Sequence, residues 1–471
     1  MFYSAPTKKI LLATLSLSLV SLLAIGCGAG GGVTSTIAPN VVTGSAFVVG
    51  TDAPAAGVIS FNAQVNSVTA TDTAGNTVSL LSGAPTVDFA RFNGLQTLLD
   101  LNDVPVGTYS SVTITLGTAT IGYLNTTAGA APTIATQTAT LSTNTITKTL
   151  ATPLVVSTSA PIGLRMDFDL FKSIQVSSNG QITGNVTPTF NIAVVAPTDS
   201  GGHIDDFDAG VVSVDTTAQS FVIQGPHGRN FAVLINGTTT FENNETLSAL
   251  TNTSIVEISG TIDRTSSTIT ADEVAILSQD GFHAAGQITY VQPASGPATS
   301  FDLYVRGLLP ASTGLTLGQL ATVNLSGSEK FLIYWMHNPL TQYLFTSSAL
   351  LPGQFISIGG PATGATSPTA VTTKRVVLRN WGFNGTIVTS SVKPSNGTFQ
   401  MTINGFAGLL VPGPVTVVTS GSTDFRNGLN SLTDVAAAAT TQSNIRVVGL
   451  LIKDPTTGNP VLLARHIDLL N

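Results

Sequence analysis

The chain has 471 residues, and only 9% of them are charged, against a usual share of about 25%. With 18 Lys and Arg against 25 Asp and Glu, it lacks the clustered positive charge that phosphate neutralisation requires, so nucleic acid is excluded as a partner. A hydrophobic share of 42% argues against disorder, and a single Cys allows neither an internal disulfide nor a cysteine-based zinc site.

The first segment reads as an export signal. Lys8 and Lys9 precede an uncharged apolar run from Ile10 to Ile25, which is shorter than the roughly 20 residues of a spanning helix. It ends in Leu23-Ala24-Ile25-Gly26-Cys27, where the chain's one cysteine sits. This stretch resembles the lipobox of bacterial lipoproteins, with Ala24 standing where Leu is commoner. The resemblance implies removal of residues 1–26 and acylation of Cys27. It also implies a protein held at a membrane through its N-terminal lipid. In that family an Asp after the Cys favours inner-membrane retention, so Gly28 implies the outer membrane. Residues 27–40, rich in Gly, Ser and Thr, read as a flexible tether.

Beyond the tether, strand patterns follow one another. Val58–Val65, Val112–Leu116 and Leu164–Leu170 alternate apolar and polar residues, the period of a half-buried strand. Asp72-Thr73-Ala74-Gly75-Asn76 and Ser178-Asn179-Gly180 are turn signals. Helical turns are predicted only over short stretches such as Leu95–Leu101 and Thr433–Ala439. The chain is therefore all-β, and it is long enough for several domains.

The first unit, 41–197, is predicted to be a β-sandwich. It holds Asp52-Ala53-Pro54, then Pro105-Val106-Gly107-Thr108-Tyr109, then Asp167-Phe168-Asp169. These motifs resemble a family of secreted bacterial domains of unknown function.

The second half repeats. One copy, 203–280, starts its pattern at Gly210 and has Ile255–Gly260 as its fourth strand. A looser copy, 284–379, starts at Gly286 with Phe355–Gly359 in that place. The last, 381–471, starts at Gly385 with Ile445–Gly449. Each offers about five strands, with a short turn (Leu247–Leu250, Leu429–Leu432) before the fourth. The order resembles a small closed barrel of the OB type, and the copies resemble a secreted-protein repeat of unknown function. Their uneven spacing predicts separate beads rather than a stack. The glycine ending each fourth strand predicts a bulge or tight bend.

Candidate chemistry is sparse. Asp167 and Asp169 share one strand face, as a cation site or an acid pair or, more simply, as a solvated face between core residues. His203-Ile204-Asp205-Asp206-Phe207-Asp208 is the densest polar cluster. Asp205, Asp206 and Asp208 could serve a cation, but they lack the spacing of a calcium loop and read better as a solvated junction. The aromatic stretch holding Tyr334, Trp335, His337 and Tyr343 is the candidate surface for a ligand or partner, since Tyr and Trp stack on sugars and anchor interfaces. The same rings could instead fill a barrel core. The histidines are scattered, and no nucleophile elbow or metalloprotease pair occurs. No cofactor is expected.

Two functional readings remain. One is a non-enzymatic cell-envelope lipoprotein for display, adhesion or scaffolding, with a cell-surface protein or polysaccharide as partner. The other is a surface carbohydrate-binding protein or polysaccharide-degrading hydrolase.

Overall fold

The computed structural model describes residues 42–470, apart from 54–57, 92–96, 126–132, 160–161, 178–181, 196–201, 225–229, 263–267, 310–313, 335–342, 362–364, 368–369 and 442. The segments read above as a signal and a tether, with Cys27 between them, lie outside the described residues. The protein is all-β.

Between Thr43 and Val195, two large sheets and a small one of Ile174–Val176, Ile182–Val186 and Thr140–Leu141 enclose one core. In the first sheet the order is Phe190–Val195, Ile162–Asp169, Thr43–Ala53, Thr97–Pro105. The middle two strands run parallel. The second sheet pairs Val58–Asp72 with Gly107–Asn125 along most of their length. Thr77–Ser79 and Thr86–Asp88 flank the former strand, and Thr133–Thr138 and Thr145–Val156 the latter. The alternation read in the sequence sends Val68, Ala70, Val112 and Ile114 inward. There they join a ring cluster in which Phe168 lies 5.0 Å from Phe61 and 4.6 Å from Phe190, centroid to centroid. Of the stretch Leu95–Leu101 predicted as a helical turn, residues 97–101 are strand instead. Thr97–Pro105 is an edge strand antiparallel to Thr43–Gly50, because cross-strand pairing there outweighs local leucine propensity.

Three small barrels follow. In the first, the hydrogen-bonded order is Asn230–Leu234, Ser220–Gln224, His203–Asp215, Ile255–Ile262, Ile269–Ser278. Parallel pairing of Val233 and Leu234 with Ile269 and Thr270 closes it. The third barrel repeats that path with Pro414–Val418, Thr398–Ile403, Trp381–Ile387, Asn444–Lys453 and Pro460–Leu470, closed by Val417 on Leu462. The middle barrel follows it with Leu320–Asn324, Ser300–Leu309, Gly281–Gln292 and Phe355–Pro361. Its fifth strand is broken: Ala370–Thr372 pairs with the third strand and Arg375–Leu378 with the fourth. At the break the Thr373 hydroxyl reaches Gly359 O at 2.9 Å. Each barrel adds a short strand parallel to its fifth, at Thr240–Phe241, Lys330–Ile333 and Asp424–Arg426.

A short helical piece precedes each fourth strand, at Leu247–Ala249, Ser347–Ala349 and Leu432–Thr440. The last is the helix read over Thr433–Ala439. Ser431 caps it by accepting from the Thr433 amide, and Val435, Ala438 and Ala439 turn to the core. The barrels are not separate beads. Val41–Asn471 packs as a single unit, and the three barrels touch through charged and apolar contacts described below.

The glycine expected to end each fourth strand lies within it and has two uses. At Gly260 and Gly449 the pairing with the fifth strand slips by a residue, as expected of a bulge. A Cβ there would lie 2.2 Å from Thr270 O or 1.9 Å from Leu463 O. At Gly359 a Cβ would instead meet Leu277 O of the first barrel at 2.4 Å, so this glycine allows two barrels to approach. Gly449→Ala should lower the stability of the protein by about 1–3 kcal/mol in urea unfolding, because the backbone must give way. Gly421→Ala, where a methyl meets nothing within 4 Å, should stay within about 0.5 kcal/mol.

Candidate functional site

Several charged residues of this charge-poor chain converge where barrels meet. Asp208 lies between inward-facing Phe207 and Ala209, and Glu257 between Val256 and Ile258. Alternation therefore puts both carboxylates on the outside of the first barrel. They are direct cross-strand partners, an arrangement that like charge disfavours. Arg379, which follows the fifth strand of the middle barrel, lies between them with its side chain 1% exposed. Its Nη2 and Nη1 reach the two Asp208 oxygens at 3.0 and 3.1 Å, and its Nε reaches Glu257 at 2.6 Å. Nη1 also donates to the Ser357 hydroxyl at 2.9 Å, which in turn lies 2.9 Å from His283 Nε2. The face of Phe355 covers the guanidinium at 5.4 Å. A planar fork of five N–H donors can satisfy two carboxylates and a hydroxyl at once; a lysine ammonium cannot match that geometry.

Further contacts extend the same interface. Arg375 donates to Glu245 at 2.8 Å and to Ile276 O at 2.7 Å, both in the first barrel. Glu273, fully buried, lies 3.8 Å from Arg465 of the third barrel. The Tyr334 hydroxyl is 3.3 Å from Ser259, the cross-strand neighbour of Glu273. Burial, and then the charges of Glu273 and Glu257, push the Tyr334 phenol well above its ordinary value, so it stays a neutral donor. Around it Ala275, Leu277 and Val377 close the contact.

The N-terminal region is fastened in the same way. Arg306 of the middle barrel reaches Asp88 at 3.2 Å, and Gln287 Oε1 accepts from its Nε and Nη2 at 3.1 and 2.8 Å. Its guanidinium lies 5.2 Å from the Tyr304 ring and 5.1 Å from that of Trp381. Asp88 also accepts from the Phe61 amide at 2.9 Å. The middle barrel is thus the hub, sending one arginine to the N-terminal sheets and two to the first barrel.

Several sequence expectations are corrected. Tyr334 and Tyr343 do not form a ligand surface; they are 1% and 8% exposed. Tyr334 is held by the inter-barrel contact, and Tyr343 by the middle barrel's core. Trp335 and His337 lie outside the described residues. The His203–Asp208 stretch is no solvated junction but the start of a barrel strand, with a register shift between Ile204 and Phe207 where Asp205 and Asp206 fall. Asp208 is not placed for a cation, because Arg379 occupies both of its oxygens. Among the described residues no group of three metal-binding side chains is assembled.

Asp167 and Asp169 also part company. Asp169 is buried and caps the turn Leu170–Ser173, accepting from the Lys172 amide at 3.0 Å and pairing with Lys172 Nζ at 2.7 Å. Asp167 is half-buried and accepts from Asn191 at 3.3 Å. An open hollow of about 480 Å³ on the first barrel is lined by Thr216, Ile235, Phe241 and Leu247. Glu245 also lines it, committed to Arg375.

Sequence reasoning overlooked Arg306, Arg375, Arg379, Glu257 and Glu273. The available signal was a charge inside an otherwise apolar strand run, as in Val256-Glu257-Ile258 or Arg375-Val376-Val377-Leu378-Arg379.

Residues 43–184 match the model of a domain of unknown function, DUF4382. That span contains the Asp-Ala-Pro, Pro-x-Gly-x-Tyr and Asp-Phe-Asp motifs. No curated protein matches the chain.

Arg379→Met should destabilise the protein by about 3–5 kcal/mol in chemical denaturation, since it strands two buried carboxylates. Adding Asp208→Leu and Glu257→Leu should recover most of that loss, because nothing charged is then left without a partner. A second test uses pH. Burial raises the Asp167 carboxyl above its ordinary value of 3.8, against the lowering effect of Asn191. Its ionisation therefore costs stability that is present below 3.8 and lost as pH rises through the elevated folded value. Asp167→Asn should match the wild type in acid and exceed it at pH 7 in unfolding titrations.

Proposed function

We propose that this protein is a non-enzymatic lipoprotein of the cell envelope, held at the outer membrane by acyl chains on Cys27. Its β body would serve display, adhesion or scaffolding toward a cell-surface protein or polysaccharide. The observation that carries the reading is the placement of the chain's one cysteine at the end of an export-type apolar run, in Leu23-Ala24-Ile25-Gly26-Cys27. Each buried CH₂ contributes roughly 0.8 kcal/mol, so two or three acyl chains make anchoring nearly permanent. We read residues 27–40, from their Gly, Ser and Thr content, as a tether; a coil of that length would span roughly 20 Å on average.

The body suits a structural role. Its buried arginines are committed to bracing one region against another. We read 41–197 as the sandwich domain, and 203–280, 284–379 and 381–471 as copies of one OB-like repeat, supported by their common strand path. The alternative, a carbohydrate-binding or polysaccharide-degrading surface protein, rested on the rings from Tyr334 to Tyr343. Tyr334 and Tyr343 are buried and lend it no support.

Cys27→Ala should abolish labelling with a palmitate analogue and leave the protein soluble or unprocessed. If the variant remains with membranes after a high-salt wash, the lipid anchor is wrong.

A further inference from the structure

One end of an exposed sheet face in the N-terminal region is lined by hydroxyls. The strands Thr77–Ser79, Val58–Asp72, Gly107–Asn125 and Thr145–Val156 lie side by side. Residues paired across antiparallel strands point to the same side, as do residues two apart along a strand. The register therefore assembles three rows. Ser79, Thr69, Thr113 and Thr147 form the first; Thr77, Thr71, Ser111 and Thr149 the second; Ser67, Thr115 and Thr145 the third. Every position on this part of the face is Ser or Thr. The charged neighbours Asp72 and Lys148 are one residue out of phase with the rows, and Val68, Ala70, Val112, Ile114 and Ile146 line the reverse side in the core.

The face is open to solvent. Thr77, Ser79, Thr145, Thr147 and Thr149 are exposed, and the hydroxyls on the two inner strands are partly so. Arg306 fastens this same sheet to the middle barrel at Asp88, which pairs with Asn62. The rows lie toward the other end of the long strand, near the turn at Asp72–Asn76.

The rows have two fixed repeats, about 4.8 Å between strands and about 6.7 Å between alternate residues of one strand. β-Branched threonines are stiff at χ1, and a 2.9 Å contact between the Thr113 and Thr147 hydroxyls ties neighbouring positions together. Such an array loses little side-chain entropy when it meets another surface. It has no charge to desolvate, no ring to stack on a sugar and no long side chain to reach into a pocket. Its counterpart should be equally uncharged, rigid and periodic in two dimensions, offering both donors and acceptors. Adjacent strands rotate by roughly 20°, so contact would centre on the two inner strands and their nearest neighbours.

We propose that this hydroxyl face binds ice. Water in an ice surface is a neutral lattice of alternating donors and acceptors, with oxygen repeats on its prism faces close to the two spacings of the rows. Hydroxyls would take lattice positions while the threonine methyls fill the gaps between them. This holds whether or not Cys27 carries lipid, so failure of either idea leaves the other standing.

The test is partition of fluorescently labelled full-length protein into a slowly growing polycrystalline ice ball, with serum albumin as the excluded control. The wild type should enter the ice and inhibit its recrystallisation. Thr147→Tyr and Thr149→Lys alter exposed positions, so both should fold, as circular dichroism would verify, and both should be excluded like albumin. Thr456→Tyr, in an exposed turn of the third barrel, should behave as wild type. Exclusion of the wild type, or unchanged uptake of both row variants, overturns the proposal. So does retention on microcrystalline cellulose that the row variants lose while ice uptake stays at the albumin level; the lattice would then be a polysaccharide's.

Discussion

A single guanidinium between two carboxylates decides how this protein is held together. Asp208 and Glu257 are neighbours across two barrel strands, both outward and both buried once the middle barrel docks. Left alone they would repel each other and lose their water. Arg379 answers both with one rigid fork, and Ser357 and Phe355 fix that fork in place. The pairing makes docking of the barrels close to obligatory. Separating them would return three charges to water but would also expose Tyr334, Val377 and Leu277, which pack around the same contact. Buried ion pairs are weak contributors to net stability but strong discriminators between arrangements. Here the discrimination is between one braced body and a string of independent beads.

The scarcity of charge takes on a different meaning in this setting. A surface poor in Lys, Glu and Arg would ordinarily be explained by what it avoids binding. In this fold several of the charged side chains have been drawn inward to the contacts between barrels, while threonine and serine cover much of the outside. The middle barrel, the most divergent of the three, carries the arginines that reach its neighbours. Its broken fifth strand brings Arg375 and Arg379 to opposite ends of one short segment, both reaching the first barrel.

Much of the architecture was legible in the residues. Alternation revealed the strands of the sandwich, because a half-buried strand has no other way to solvate one face. The recurring glycines of the fourth strands marked bulges at Gly260 and Gly449, where backbone oxygens leave no room for a Cβ. The helix at Leu432–Thr440 was legible as the helical turn over Thr433–Ala439. Other expectations failed for a common reason. Leu95–Leu101 was assigned by local propensity, yet Thr97–Pro105 is held by a partner strand from Thr43 onward, distant in sequence. Tyr334 seemed free to face a ligand only while the first barrel was treated as a separate bead. Asp208 looked like one of several loop carboxylates until the chain brought Arg379, far along the sequence, against it.

Local pattern therefore determined the class of the fold, the order of its strands along the chain and the positions of its tight turns. Those features depend on residues close in sequence, whose spacing alone sets which face is wet and where the backbone bends. Tertiary structure decided which charges meet, which rings are covered and how the barrels face one another. It also decided that hydroxyls from four strands line up in rows. These depend on pairing register and on contacts between distant segments, and a carboxylate or a threonine reads the same in sequence whichever neighbour it will find.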